Sequence, residues 1–250
     1  MTHADDFRTL DRRRQCRPFP PHPRKPAISA IANTLPTRLF RTQPLPPALD
    51  HPTGPDQPHR RQAINGYRPA RAALERFNGL LAVLGRHQPP LDLDQLATAA
   101  RQLPWPEDVN EVPGCISQRV ARLETVAAMV ADPHWGVANE PLACARRVLD
   151  YSHDAHPLIP HGLPRFGRLD EAIVVEAAWP VLGIQAACYR DFLRLRLIES
   201  GLRGCSPEAL RFDRRYFEDV RRQEAELSAH RRRARESSYV PAPPVLFRIH

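Results

Sequence analysis

Imidazoles and carboxylates crowd one stretch of the chain: His153, Asp154, His156 and His161, with Asp150 before them and Asp170 and Glu171 after. These side chains are ligands for zinc and similar ions, and a loop rich in them would be able to close around one. A metal-binding or metal-assisted hydrolytic protein using the His153/His156/His161 loop is therefore one reading of the sequence. The spacing opposes it. His153 and His156 stand three apart where a helical pattern has just ended, and Pro157 and Pro160 restrict how the loop folds back. Scattered loop histidines more often meet solvent or cap a helix, so neither metal nor cofactor is expected.

Other chemistries leave no pattern. The chain has no Gly-x-Gly-x-x-Gly or phosphate-loop run, no Gly-x-Ser-x-Gly and no His-Glu-x-x-His, and its 11 Gly are few for backbone cradles around phosphates. The five cysteines, Cys16, Cys115, Cys144, Cys188 and Cys205, are odd in number and include no Cys-x-x-Cys. Residues 2–14 are polar, without the apolar run of a secretory leader, and a reducing cytoplasm is expected. Cys144 and Cys188 fall in apolar helical stretches and read as core residues. No mechanism can be named, and the weight falls on a non-enzymatic protein.

The same stretch carries a family pattern. Tyr151 ends a helix; Leu158, Ile159 and Pro160 follow in a loop; Pro164, Gly167 and then Leu169, Asp170 and Glu171 open an apolar helix. In this order and spacing, residues 142–178 resemble the YkvA-like family, small helical domains of unknown function. The resemblance implies an all-helical fold motif and, because many members are thought to sit at membranes, membrane proximity. It implies no reaction. Two acidic positions of the family loop are Pro157 and His161 here, and the second Asp of the helix start is Glu171. Read on their own terms, Leu158 and Ile159 drop onto a bundle, Pro160 fixes a turn, and Asp170 is an N-cap for the helix that follows.

Six helical patterns hold this loop in place. The first follows Arg68-Pro69 with a stripe of Ala70, Ala73, Leu74, Phe77, Leu80, Leu81 and Leu84 and stops before Pro89 and Pro90. Asp94 is expected to cap a second, and Ile116, Val120, Leu123, Ala127 and Val130 mark a third. A fourth runs from Glu140 to about Tyr151 behind an Asn139 cap. The fifth runs from Glu171 to about Glu199 through Pro180. It is apolar nearly all round in its first half except for Glu176, so it reads as the central helix of a bundle or a membrane candidate. Glu176, Pro180 and Gln185 argue against a span, and Glu176 is expected to reach an Arg or the rim. The last opens at Ser206, Pro207 and Glu208 and runs to about Glu236. The fold class expected is all-α, an irregular bundle of about six helices.

Around this body the composition changes. Of 28 Pro, 12 fall before residue 60, and no apolar period of either kind appears there. Residues 1–65 therefore read as a disordered Pro-rich arm, 66–236 as the helical domain and 237–250 as a Pro-rich tail. The net charge of +8 is uneven: 10 basic and 5 acidic residues in 1–60, 15 and 16 in 61–200, and 11 and 7 in 201–250. The body is neutral and the basic surplus lies at the ends. Several last-helix Arg have acidic neighbours at i, i+4, such as Glu218 with Arg222, so nucleic acid is not the expected partner. Leu210, Phe217, Val220 and Leu227 leave a narrow seam for a protein partner or a second copy. Taken together, the sequence reads as a YkvA-like interaction or membrane-proximal module, with peripheral membrane contact allowed.

Overall fold

The structure is a computed structural model that describes residues 42–51, 61, 63–104 and 112–236. Among them are six helices: α1 (Arg71–Val83), α2 (Leu93–Gln102), α3 (Gly114–Ala131), α4 (Asn139–Ser152), α5 (Leu169–Arg203) and α6 (Arg214–Glu236), preceded by a 3-10 turn at Pro47–Leu49. No strand occurs among the described residues; Ile64 and Tyr67 form an isolated bridge. The all-α class stands. By contacts the chain falls into two compact units, one within Asn33–Arg190 and the other including Asp191–His250, so the span read as one helical domain, 66–236, carries parts of both.

In the first unit the apolar stripes meet, but in α3 the buried face is turned from the one expected, with Val126 and Met129 buried and Ala127 exposed, and Ala70 before α1 is exposed. Phe77 and Leu81 of α1, Leu96 and Ala99 of α2, Ile116 and Val126 of α3 and Val148 of α4 are buried against Ala172, Ile173, Val174 and Val175 of α5. Four consecutive buried residues in α5 explain its lack of a polar face: neighbours surround that turn. Glu176 breaks the run and accepts from the Arg119 Nε at 2.8 Å, with Arg122 3.6 Å away and stacked on Trp179 at 4.1 Å. The expected Arg for Glu176 is therefore present. Arg119 is buried and also donates to the carbonyls of Gln43 and Cys115, both at 2.8 Å. Cys115 and Cys144 are buried thiols, and burial pushes both up.

The second unit is small. Phe192 meets Phe212 at 5.2 Å and Phe217 at 5.9 Å between ring centroids, and Arg196 donates to the Pro207 carbonyl at 2.7 Å. Phe217 is the one buried residue of α6, which otherwise faces solvent.

Several helix ends differ from expectation because side chains find better work elsewhere. Asp92, not Asp94, caps α2: its carboxylate accepts from the Gln95 N–H at 2.8 Å while Gln95 Oε1 accepts from the Asp92 N–H at 3.1 Å, a reciprocal capping box. Asp94 is buried and accepts from the Arg61 N–H at 2.9 Å. Asn139 lies inside α4, whose N-cap Ala138 supplies no side-chain bond. The last helix begins at Arg214, with Asp213 accepting from the Tyr216 N–H at 2.9 Å; the turn before it buries Phe212, and Ser206 accepts from the Ala209 N–H within that turn. Pro180 sits within a continuous α5, which ends past Ser200 at Arg203, followed by Gly204 at φ +63°.

The body also starts well before Gly66. Of the residues read as an arm, 42–51, 61 and 63–65 are described, and Pro46, Leu49 and Ile64 among them are buried, Leu49 3% and Ile64 0% exposed. The remainder of that arm and the tail 237–250 lie outside the described residues.

Candidate functional site

The motif positions, Tyr151 to Glu171, converge on the junction of α4 and α5. Helix α4 stops at His153, whose backbone N–H returns to the Leu149 carbonyl at 3.1 Å and whose Nδ1 lies 2.7 Å from the same oxygen. Asp154 then holds the next bend by accepting from the His156 N–H at 3.0 Å. Leu158 and Ile159 drop into the core, 2% and 0% exposed. Pro160 and Pro164 offer carbonyls to the N–H groups of Leu163 and Phe166, and Gly167 donates to Leu163. A Cβ on Gly167 would run into the carbonyl oxygens of His161 and Leu163, so the chain passes too close there for any other residue.

This tight loop delivers the backbone to a buried carboxylate. Asp170, 0% exposed, accepts at Oδ2 from the Tyr151 hydroxyl at 2.7 Å and from the Ile159 N–H at 3.1 Å. The Tyr151 oxygen in turn accepts from the Leu158 N–H at 3.3 Å, and its ring packs on Phe77 at 5.7 Å. Asp170 is thus not the N-cap expected: α5 begins at Leu169, so Asp170 already lies in the helix and its side chain reaches across to α4 and the loop. Burial raises the Asp170 carboxyl above its usual range, against the opposing pull of the Tyr151 hydroxyl and the Ile159 and Glu171 amides. Burial and the neighbouring Asp170 charge also raise the Tyr151 phenol, so the shared proton stays on tyrosine.

Glu171 is the second buried carboxylate, 1% exposed. Arg168 pairs with its Oε2, and His161 Nε2 stands 3.1 Å from Oε1 without the geometry of a directed hydrogen bond. His161, in a position that is acidic in the family pattern, here faces a carboxylate. The three candidate metal ligands are not brought together: His153 turns to Leu149, His161 to Glu171, and His156 is exposed. Among the described residues no group of three His, Cys, Asp or Glu side chains is placed to hold a metal ion.

Chemically, the cluster can hold a loop, with the Tyr151 hydroxyl and the Ile159 amide both tied to Asp170. Its carboxylates point inward, and each has a partner from the chain itself. Sequence reasoning missed Arg119, Arg61 and Asn78, whose side chains reach distant backbone or polar side-chain groups; the single signal available was an acidic residue, Glu176, stranded in an apolar run. Comparison with family models, curated proteins and solved structures returns no match.

Proposed function

We propose that this chain is a non-enzymatic, YkvA-like helical module that acts by binding, in the cytoplasm and in part next to a membrane. The observation that carries the reading is the fate of the motif carboxylates. Asp170 and Glu171 are 0% and 1% exposed and are held by Tyr151, Ile159, Arg168 and His161, so a substrate would have to dismantle the loop to reach them. Buried carboxylates that tie a loop between two helices build a rigid surface, and rigid surfaces serve recognition.

Helix α5 is long and apolar enough to cross a membrane by length and composition, with a mean hydropathy of 1.4 over its best window. The Glu176 pair with Arg119 and the burial of residues 172–175 favour a place inside a bundle instead. Membrane contact in this reading is peripheral. Cells expressing the full chain are fractionated and the membranes washed with alkaline carbonate. Release into the supernatant is expected, and retention until detergent is added would sink the peripheral reading. For the non-enzymatic part, Asp170→Asn should change stability and binding together. Loss of a turnover with an unchanged melting temperature would place chemistry at Asp170.

A further inference from the structure

Helix α6 changes character halfway along. From Arg214 to Glu226 four arginines are matched by four acids, with Arg214 donating to Glu218 at 2.7 Å and Arg222 lying 3.4 Å from Asp219. From Leu227 to Glu236 the four arginines Arg231, Arg232, Arg233 and Arg235 stand with a single acid at the very end, and none of the four has an ion pair among the described residues. Every described residue after Val220 is exposed except half-buried Ala229. The needs of the helix end account for little of this. Arg233 Nε approaches the Ala229 carbonyl at 3.5 Å, as a cation near a helix C-terminus does, but the guanidinium groups of the other three have no acceptor among the described residues. Arg231 and Arg235 stand four apart, and like charges at that spacing weaken a helix rather than hold it.

Such an excess fits an anionic partner, and the apolar neighbours decide which. Leu227, 53% exposed, lies one turn before Arg231 on the same side of the helix, and the sequence beyond carries Val245, Leu246, Phe247 and Ile249. A bilayer interface offers phosphates to guanidinium groups and an acyl boundary to leucine and phenylalanine, whereas a nucleic acid offers phosphates but no apolar layer for such side chains to enter. A second copy fits less well, because pairing two α6 helices sets the basic half against another basic half or against a neutral one. We infer that residues 227–236 are the membrane-contacting surface of this chain, binding a bilayer that carries anionic lipid through Arg231, Arg232, Arg233 and Arg235, with Leu227 set among the headgroups. The inference rests on the reading of the chain as a peripheral membrane module and names the part that makes the contact. Each arginine near such a surface strengthens binding about fivefold, so the four together are worth about 100-fold or more at moderate salt.

The test is sedimentation of the full chain with vesicles of phosphatidylcholine alone or of phosphatidylcholine with about 30 mol % phosphatidylserine. Wild type should pellet with the anionic vesicles, stay in solution with the neutral ones, and come off as salt rises from about 0.1 M to about 1 M. The quadruple variant Arg231→Gln, Arg232→Gln, Arg233→Gln and Arg235→Gln should bind at least about 100-fold more weakly, with an unchanged thermal melt because these side chains are exposed. A control with the same loss of charge on α1 and α4, Arg71→Gln, Arg76→Gln, Arg146→Gln and Arg147→Gln, all exposed, should bind within about threefold of wild type. Equal weakening by both variants would reduce the effect to net charge and overturn the inference. Full binding by the first variant would overturn it while leaving the peripheral reading in place. Wild type that stays off both kinds of vesicle would overturn it as well, and would take the peripheral reading with it only if the chain is also missing from the carbonate-released fraction of cells. Tighter binding to a short DNA duplex than to anionic vesicles, or a dimer in sedimentation velocity that the same four changes dissolve, would assign the surface to nucleic acid or to a second copy and overturn it.

Discussion

The Tyr151 hydroxyl donates to Asp170 Oδ2 across 2.7 Å, joining the last turn of α4 to the first turn of α5. The same carboxylate oxygen takes the Ile159 N–H, so one buried acid satisfies a side chain and a loop amide together. Removing it strands both donors in the core.

Asp170→Ala should therefore cost about 1–3 kcal/mol, with Asp170→Asn losing less because its carbonyl oxygen still accepts. Tyr151→Phe should cost a similar amount, since it strands the Leu158 N–H. Urea melts of both single variants and the double variant give a coupling energy. A value of at least about 0.5 kcal/mol is expected, and strict additivity would show that the two groups do not act through one bond.

The pH dependence has a definite sign. Asp170 is raised in the fold by burial, relative to about 3.9 in the unfolded chain, so the folded protein holds its proton more tightly. Its contribution is fully present below about pH 4 and is lost as pH rises through the folded value. Asparagine cannot titrate. The stability of wild type relative to Asp170→Asn should thus improve between pH 7.5 and pH 4.5, as read from urea midpoints. The opposite trend would mean that the hydrogen bonds outweigh burial.

Gly167→Ala should destabilise the first unit by about 1–3 kcal/mol, because the new methyl meets backbone carbonyls that cannot swing aside. Gly162→Ala, in the same loop with nothing within 4 Å, is the control and should be close to neutral. Thermal melts of the pair separate a true close approach from a general loss of loop freedom.

Truncation should distinguish parts of the Pro-rich region. A chain starting at residue 61 lacks Leu49, which is 3% exposed in the core, and should melt several degrees below a chain starting at residue 42. Leu49→Ala in the full chain should cost about 2–4 kcal/mol, as buried leucines do. Equal melting of the two truncations would mean that residues 42–51 are not held.

Local composition made the helices legible. The stripe of α1 and the all-round apolar start of α5 announce themselves because burial selects residue types at a helical period, and the motif loop announced its Leu158 and Ile159 anchors. Roles set by distant partners were not legible. Asp170 looked like a cap because it opens a helix, whereas its bond runs 19 residues back to Tyr151. Asp94 looked like a cap as well, yet Gln95 made Asp92 the better one. The segment 42–51 was hidden for a related reason: it has no period of its own, and its polar groups are answered by distant Gln and Arg side chains on α2, on α3 and in the turn after α1.

Cys115 on α3 and Cys144 on α4 are buried with their thiols raised, and each sits in a different wall of the first unit. A thiol held protonated and out of solvent reacts only when its helix opens, so alkylation at these two positions becomes a stopwatch for local breathing. Read by mass spectrometry under native conditions, the two rates would report separately how often α3, which carries Arg119, and α4, which carries Tyr151, let water in.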